Sequence, residues 1–157
     1  MAKAVDIAAE MVRYANSIGR DLTHMQLQKL VYIAHGISLA QDRNLLDEEV
    51  DAWKYGPVID PLYQVLKPFG SGKVKLKENF EETGLTIEEL SLIKDVVDKF
   101  KDYDGIALST LTHQKGSPWF EVWNNGKGHE IRGAKIPNEL IKNHYKKILE
   151  TGKATAL

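Results

Sequence analysis

Read as a helix, residues 22–41 (LTHMQLQKLVYIAHGISLAQ) carry apolar side chains around most of the circumference. A helix of that kind is stable only when neighbours cover more than one of its sides. Leu27, Leu30, Val31, Ala34 and Ile37 form one stripe at helical spacing, and Met25, Tyr32, Ile33, Leu39 and Ala40 widen it. The largely polar remainder is a strip of His24, Gln28 and His35, with Lys29 on the opposite edge. The start of the helix is written locally. Thr23 at the N-cap with Gln26 three residues on is a capping box, and Leu22 with Leu27 makes a hydrophobic staple. The expected fold is therefore mainly α, a single compact helical domain around a central buried helix.

The flanking segments supply the cover. Val5, Ala8, Val12, Ala15 and Ile18 recur at helical intervals, and Gly19 stands where a left-handed residue ends a helix. Val50-Asp51-Ala52-Trp53 alternates as a short strand does, with Trp53 pointing inward, and Gly56-Pro57 is turn chemistry. Asp60-Pro61 fits the N-cap and N1 positions of a helix bearing Leu62, Val65, Leu66 and Phe69. Lys73-Val74-Lys75-Leu76-Lys77 alternates strictly, as an exposed edge strand would when its charges discourage pairing. Thr86 with Glu89 repeats the capping box, and Leu90, Ile93, Val96, Val97 and Phe100 give a buried stripe. Asp104 caps a further helix with Ile106, Leu108 and Leu111 inward, Ser117-Pro118 starts a short aromatic one, and Pro137 begins the last. The expected domain spans 1–150, with a small antiparallel β element and a flexible C-terminal tail at 151–157.

Composition removes whole classes of chemistry. The 157 residues include no cysteine, which excludes disulfide frameworks, cysteine nucleophiles and thiolate metal sites. The 21 Lys and Arg against 22 Asp and Glu leave a net charge of -1, so no global field draws the domain onto nucleic acid or anionic lipid. No apolar run approaches the length of a membrane span, and the sequence does not open with the basic start and apolar stretch of a secretory signal. Neither a membrane nor a nucleic-acid partner is expected, and the expected location is the cytoplasm.

Tests for catalytic patterns fail one after another. Gly70-Ser71-Gly72-Lys73 falls short of a phosphate loop, because Lys67 stands where the first glycine belongs and Val74 where Ser or Thr belongs. Gly126 and Gly128 lack the third glycine of a dinucleotide fingerprint and read as a C-cap and turn. His24 and His35 share a face, but about 16 Å of helix rise separates them, too far to ligate one ion. His113 lies near a helix end with no partnered nucleophile, which favours a structural role. No catalytic, cofactor or metal site is expected. Trp53, Tyr55, Tyr63, Phe69, Trp119, Phe120 and Trp123 crowd near turns, and such aromatics anchor interfaces as well as cores.

Three groups of residues, in this order and spacing, carry a resemblance to a known family. They are Leu22-Thr23 with Leu27-Gln28-Lys29-Leu30-Val31-Tyr32, then Ala52-Trp53-Lys54-Tyr55-Gly56-Pro57-Val58 with Pro61-Leu62-Tyr63, then Leu108-Ser109 with Leu111-Thr112-His113 and Ser117-Pro118-Trp119. Together they resemble the Panacea domain, the family of SocA-like antitoxins and GepA-like phage-associated proteins, over nearly the whole chain. The resemblance implies a helical antitoxin of a bacterial or prophage toxin-antitoxin pair, neutralising its cognate toxin by direct contact, with no enzymatic activity and no cofactor. One branch of the family implies a second partner, a protease to which an adaptor delivers the toxin. The motif residues Leu27, Gln28, Lys29, Leu30, Tyr32, Trp53, Tyr55, Gly56, Pro57, Pro61, Tyr63, His113, Pro118 and Trp119 are expected to be mostly structural, with a place at the interface as the alternative. Two other functions are open to the residues. One is a small-ligand enzyme using His113 with Lys29 or Tyr55, for which Gln28, His35 and His113 would have to meet in one pocket. The other is nucleic-acid binding by the lysines of 73–77, which a neutral chain without interleaved aromatics disfavours.

Overall fold

Four helix starts follow the local signals, while the helix expected to be capped by Asp60 has Ile59 at its N-cap and Asp60 within its first turn. The structure, a computed structural model, describes residues 1–75 and 83–157. After α1 (Ala4–Ser17), the hydroxyl of Thr23 accepts from the Gln26 backbone N–H at 3.4 Å, and the Gln26 side chain returns its oxygen to the Thr23 N–H at 2.8 Å. That box opens α2 (His24–Ala40). Strands β1 (Val50–Trp53) and β2 (Gly56–Val58) form a hairpin that leads into α3 (Asp60–Leu66). The second capping box, Thr86 with Glu89, opens α4 (Ile87–Phe100), and the Asp104 carboxylate accepts from the Ala107 N–H at 2.7 Å to open α5 (Gly105–His113). Ser117 accepts from the Phe120 N–H at the start of α6 (Pro118–Phe120), which runs into a π-helical turn over Glu121–Asn125. β3 (Lys135–Ile136) and α7 (Asn138–Thr151) complete the chain. The sheet has the order β2-β1-β3, antiparallel throughout, with Asp51 opposite Val58, Trp53 opposite Gly56 and Val50 opposite Ile136.

The chain is mainly α and closes around α2, which meets α1, α3, α4, α5, α7 and β2. Leu27, Leu30, Val31, Tyr32, Ile33 and Ala34 are each at most 1% exposed, so α2 is covered on nearly every side, as its composition requires. Two glycines set how closely the neighbours approach. A Cβ at Gly36 would lie 2.5 Å from the Tyr145 ring of α7, and one at Gly105 of α5 would lie 2.8 Å from Met25 of α2. Tyr145 meets Tyr32 edge-on with centroids 6.1 Å apart, and both hydroxyls are buried without a hydrogen-bond partner among the described residues. No helix among the described residues is long and apolar enough to cross a membrane.

Three expectations are corrected. Ile106 is exposed while Leu108 is buried; two residues turn a helix by about 200°, so the two cannot share the inward face. Trp53 is half-buried, because its ring lies against Tyr63 on the wall of a surface cleft. Of the expected edge strand over 73–77, Leu76 and Lys77 lie outside the described residues; Lys73 forms an antiparallel bridge with Thr23, and the Val74 N–H donates to the Leu22 carbonyl at 2.8 Å. The residues expected to fray do not hang free. A left-handed Gly152 turns the chain back, Ala156 and Leu157 are buried, the Leu157 N–H donates to the Leu111 carbonyl and His144 donates to the Ala156 carbonyl.

Gly36→Ala is the sharpest test of the α2–α7 contact. The methyl group has no room beside Tyr145, and overpacking of this kind costs roughly 1–3 kcal/mol, which urea unfolding would register.

Candidate functional site

The β1–β2 hairpin carries one half of the family-like motif and α2 the other, and the structure bonds them together. Leu27 and Leu30 face the core, which turns Gln28 and Lys29 toward the hairpin. The Gln28 amide acts as a missing strand would: its oxygen accepts from the Ile59 N–H at 3.1 Å and its NH₂ donates to the Ile59 carbonyl at 3.2 Å. Ile59 is fully buried between β2 and α3; Gln28 supplies the acceptor for its N–H, and its carbonyl also accepts from the Tyr63 N–H at 3.0 Å. The Lys29 ammonium donates to the Pro57 carbonyl at 2.9 Å.

From the other side, α5 and α6 hold the same hairpin. The Ser109 hydroxyl donates to the Tyr55 carbonyl at 2.8 Å, and the Trp119 indole N–H donates to the Trp53 carbonyl at 2.5 Å. Alternate carbonyls of the turn, Trp53, Tyr55 and Pro57, are thus each held by a side chain from a different helix. His113 donates from Nδ1 to the Ser109 carbonyl, which fixes its tautomer, and stands edge-on to Trp119 at 5.5 Å. Gly56 is required at the centre. Its φ is +122°, and a Cβ there would lie 3.0 Å from the Lys29 nitrogen and 3.5 Å from both Thr112 and His113.

Beside this clamp opens an apolar cleft of about 640 Å³ between α2, the hairpin tip, α3 and the start of α5. Its aromatic wall is continuous: Trp53 meets Tyr63 at 4.9 Å and Tyr63 meets His24 at 5.0 Å between ring centroids. Tyr55, Met25 and Ile106 stand exposed on the rim, Tyr55 at 67%. Lys29 lies at the floor with 4% of its surface exposed and no carboxylate within ion-pair distance among the described residues. Burial pulls its pKa down from 10.5 to about 7. Burial, and then the charge of Lys29, lowers the pKa of His24, whose Nε2 is buried without a partner among the described residues.

The sequence-predicted residues divide into groups. Gln28, Lys29, Trp53, Tyr55 and Tyr63 line the cleft, and Gly56, Pro57, His113 and Trp119 build the clamp behind it. Leu27, Leu30 and Tyr32 belong to the core, while Pro61 and Pro118 start α3 and α6. His35 is elsewhere: it is fully buried, donates from Nε2 to Asn138 of α7 at 3.0 Å, and does not meet His113. Ser109, His24, Met25 and Ile106 escaped the list of candidate site residues. Ser109 stood within the quoted motif, whereas the other three are placed by the hairpin folding over α2, which no local pattern records. Among the described residues no three His, Asp or Glu side chains gather to hold a metal ion.

Compared with known families, residues 27–120, more than half of the chain, match the family described as antitoxin SocA-like, Panacea domain. No curated protein and no solved structure matches the chain.

Two substitutions separate the clamp's members. Gln28→Leu leaves the Ile59 N–H unpaired, while the Ile59 carbonyl keeps the Tyr63 N–H, and is expected to cost roughly 1–3 kcal/mol, read by urea unfolding. Lys29 acts through pH. Its pKa is lower folded than unfolded, so between about 7 and 10.5 the unfolded chain binds the extra proton and unfolding becomes harder as pH rises. Its destabilising effect is complete below about pH 7 and fades toward pH 10.5. The stability difference between wild type and Lys29→Met is expected to move in the wild type's favour over that window, by at most about 1.4 kcal/mol per pH unit.

Proposed function

Because the chain belongs to the SocA-like antitoxin family of Panacea domains, we propose that it neutralises a cognate protein toxin by direct contact. The observation that carries this reading is the family match over residues 27–120, the span that holds the L-Q-K-L and W-x-Y-G-P segments and the clamp they form. Neutralisation by covering needs no catalytic group. An interface of roughly 1,200–2,000 Å² with a few aromatic anchors suffices. The exposed Tyr55, Met25 and Ile106 around an apolar cleft are side chains of the kind such an interface uses.

The arrangement of polar groups also speaks for binding over turnover. Gln28, Ser109 and Trp119 are committed to backbone groups of the hairpin and of Ile59 after it, and His113 to the Ser109 carbonyl of its own helix. The enzymatic alternative asks Gln28, His35 and His113 to share a pocket, and His35 lies on the α7 side of α2.

Co-expression with the product of the adjacent reading frame tests the proposal. That product alone is expected to arrest growth, and this protein is expected to restore growth and to co-purify with it. A harmless neighbour, or one that stays toxic in the presence of this protein, would refute neutralisation. Leu30→Ala, at a position 1% exposed in the core, should cost roughly 2–5 kcal/mol and weaken rescue in proportion to the folded protein lost.

A further inference from the structure

We propose that the cleft floored by Lys29 is the seat of the toxin: it takes an apolar or aromatic segment of the partner that carries a carboxylate, and the carboxylate pairs with the Lys29 ammonium. This rests on the antitoxin reading and specifies its contact.

Three observations converge on that occupant. The first is shape and lining. A volume of about 640 Å³ walled by Trp53, Tyr63, Met25 and Val58 admits one or two large side chains with their backbone, within the roughly 300–1,000 Å³ typical of ligand sites.

The second is the charge at the floor. An ammonium has three donors, and that of Lys29 has one acceptor among the described residues, the Pro57 carbonyl. A buried cation without a counter-charge is costly to hold, so a partner that brings one gains the pairing without first breaking an internal ion pair. Of the other charged groups lining the cleft, Lys54 projects with its ammonium 5.5 Å from the Tyr55 ring centroid and adds positive charge, while Asp104 is engaged in capping α5. A single buried ammonium in apolar surroundings matches a monoanionic carboxylate better than a phosphate dianion, which needs several donors.

The third is the rim. Tyr55, Ile106 and Met25 extend the apolar surface from the cleft onto the outside of the molecule. A ligand confined to the floor would leave them in water, whereas a protein segment covers floor and rim together.

The test uses the full-length protein and the toxin encoded beside it, with affinities measured for wild type, Lys29→Met and Tyr55→Ala. Lys29→Met removes the buried cation and is expected to unfold no earlier than wild type at neutral pH, yet to bind the toxin at least about 30-fold more weakly. Tyr55→Ala alters an exposed side chain, keeps the fold, and is expected to lose about 10-fold or more. In the wild type, 4-phenylbutyrate should compete with the toxin and its uncharged amide should not; in Lys29→Met neither should. If Lys29→Met fails to fold, Tyr55→Ala and the competition decide the matter. Wild-type affinity in Tyr55→Ala together with no competition by the acid overturns the seat while leaving neutralisation intact. If the acid perturbs cleft resonances without displacing the toxin, the cleft holds a small carboxylate and the proposal is equally wrong. A wild-type protein that binds no toxin removes the antitoxin reading, and this seat with it.

Discussion

The β1–β2 hairpin cannot stand on its own strands. Four residues pair with three, and an isolated hairpin of that size is at best marginal in water. What holds it is a set of hydrogen bonds from outside: Lys29 to Pro57, Ser109 to Tyr55, Trp119 to Trp53, and the Gln28 amide to both backbone groups of Ile59. Together they join three helices, α2, α5 and α6, to one short stretch of chain. All three helices thus grip one turn, and the cleft opens between that turn, α2, α3 and the start of α5.

Gln28 and Lys29 are adjacent on one helix and grip the same segment, yet their physics differs. Gln28 is neutral and saturates the groups it meets, so it adds stability without a charge penalty. Lys29 brings a charge into a site with one acceptor and no counter-ion, and the fall of its pKa toward neutrality measures how strongly the site disfavours the charged form. A neutral donor could hold the Pro57 carbonyl more cheaply. A costly residue at the floor of a cleft is the pattern expected when stability is given up for recognition.

Much of the fold was legible because its signals are local. The capping boxes at Thr23 and Thr86, the Asp104 cap and the Ser117-Pro118 start each depend on residues within one helical turn, and each appears where its spacing placed it. The central role of α2 was legible for a related reason: a helix apolar on nearly every side must be covered, whatever covers it. The candidate site was only half legible. The motif named Gln28, Lys29, Trp53, Tyr55 and Tyr63, but no spacing says that Gln28 reaches across 31 positions to Ile59 or that Met25 and Ile106 end on one rim. The half-burial of Trp53 and the return of Leu157 to Leu111 are settled by which distant element lies alongside, whereas the exposure of Ile106 follows from its angle to Leu108 on the same helix.

In the hairpin, the groups that hold the fold and the side chains that face solvent are separate. The clamp takes hold of the turn through the carbonyls of Trp53, Tyr55 and Pro57, not through their side chains. The backbone at the tip is thus fixed while the Tyr55 side chain stands free in solvent beside the cleft. Side chains at positions 54 and 55 can change without loosening a single bond of the clamp, provided residue 56 remains glycine. Rigid backbone with replaceable side chains is what a binding surface needs, because a preorganised tip loses little conformational freedom on association and its specificity can change without refolding the scaffold.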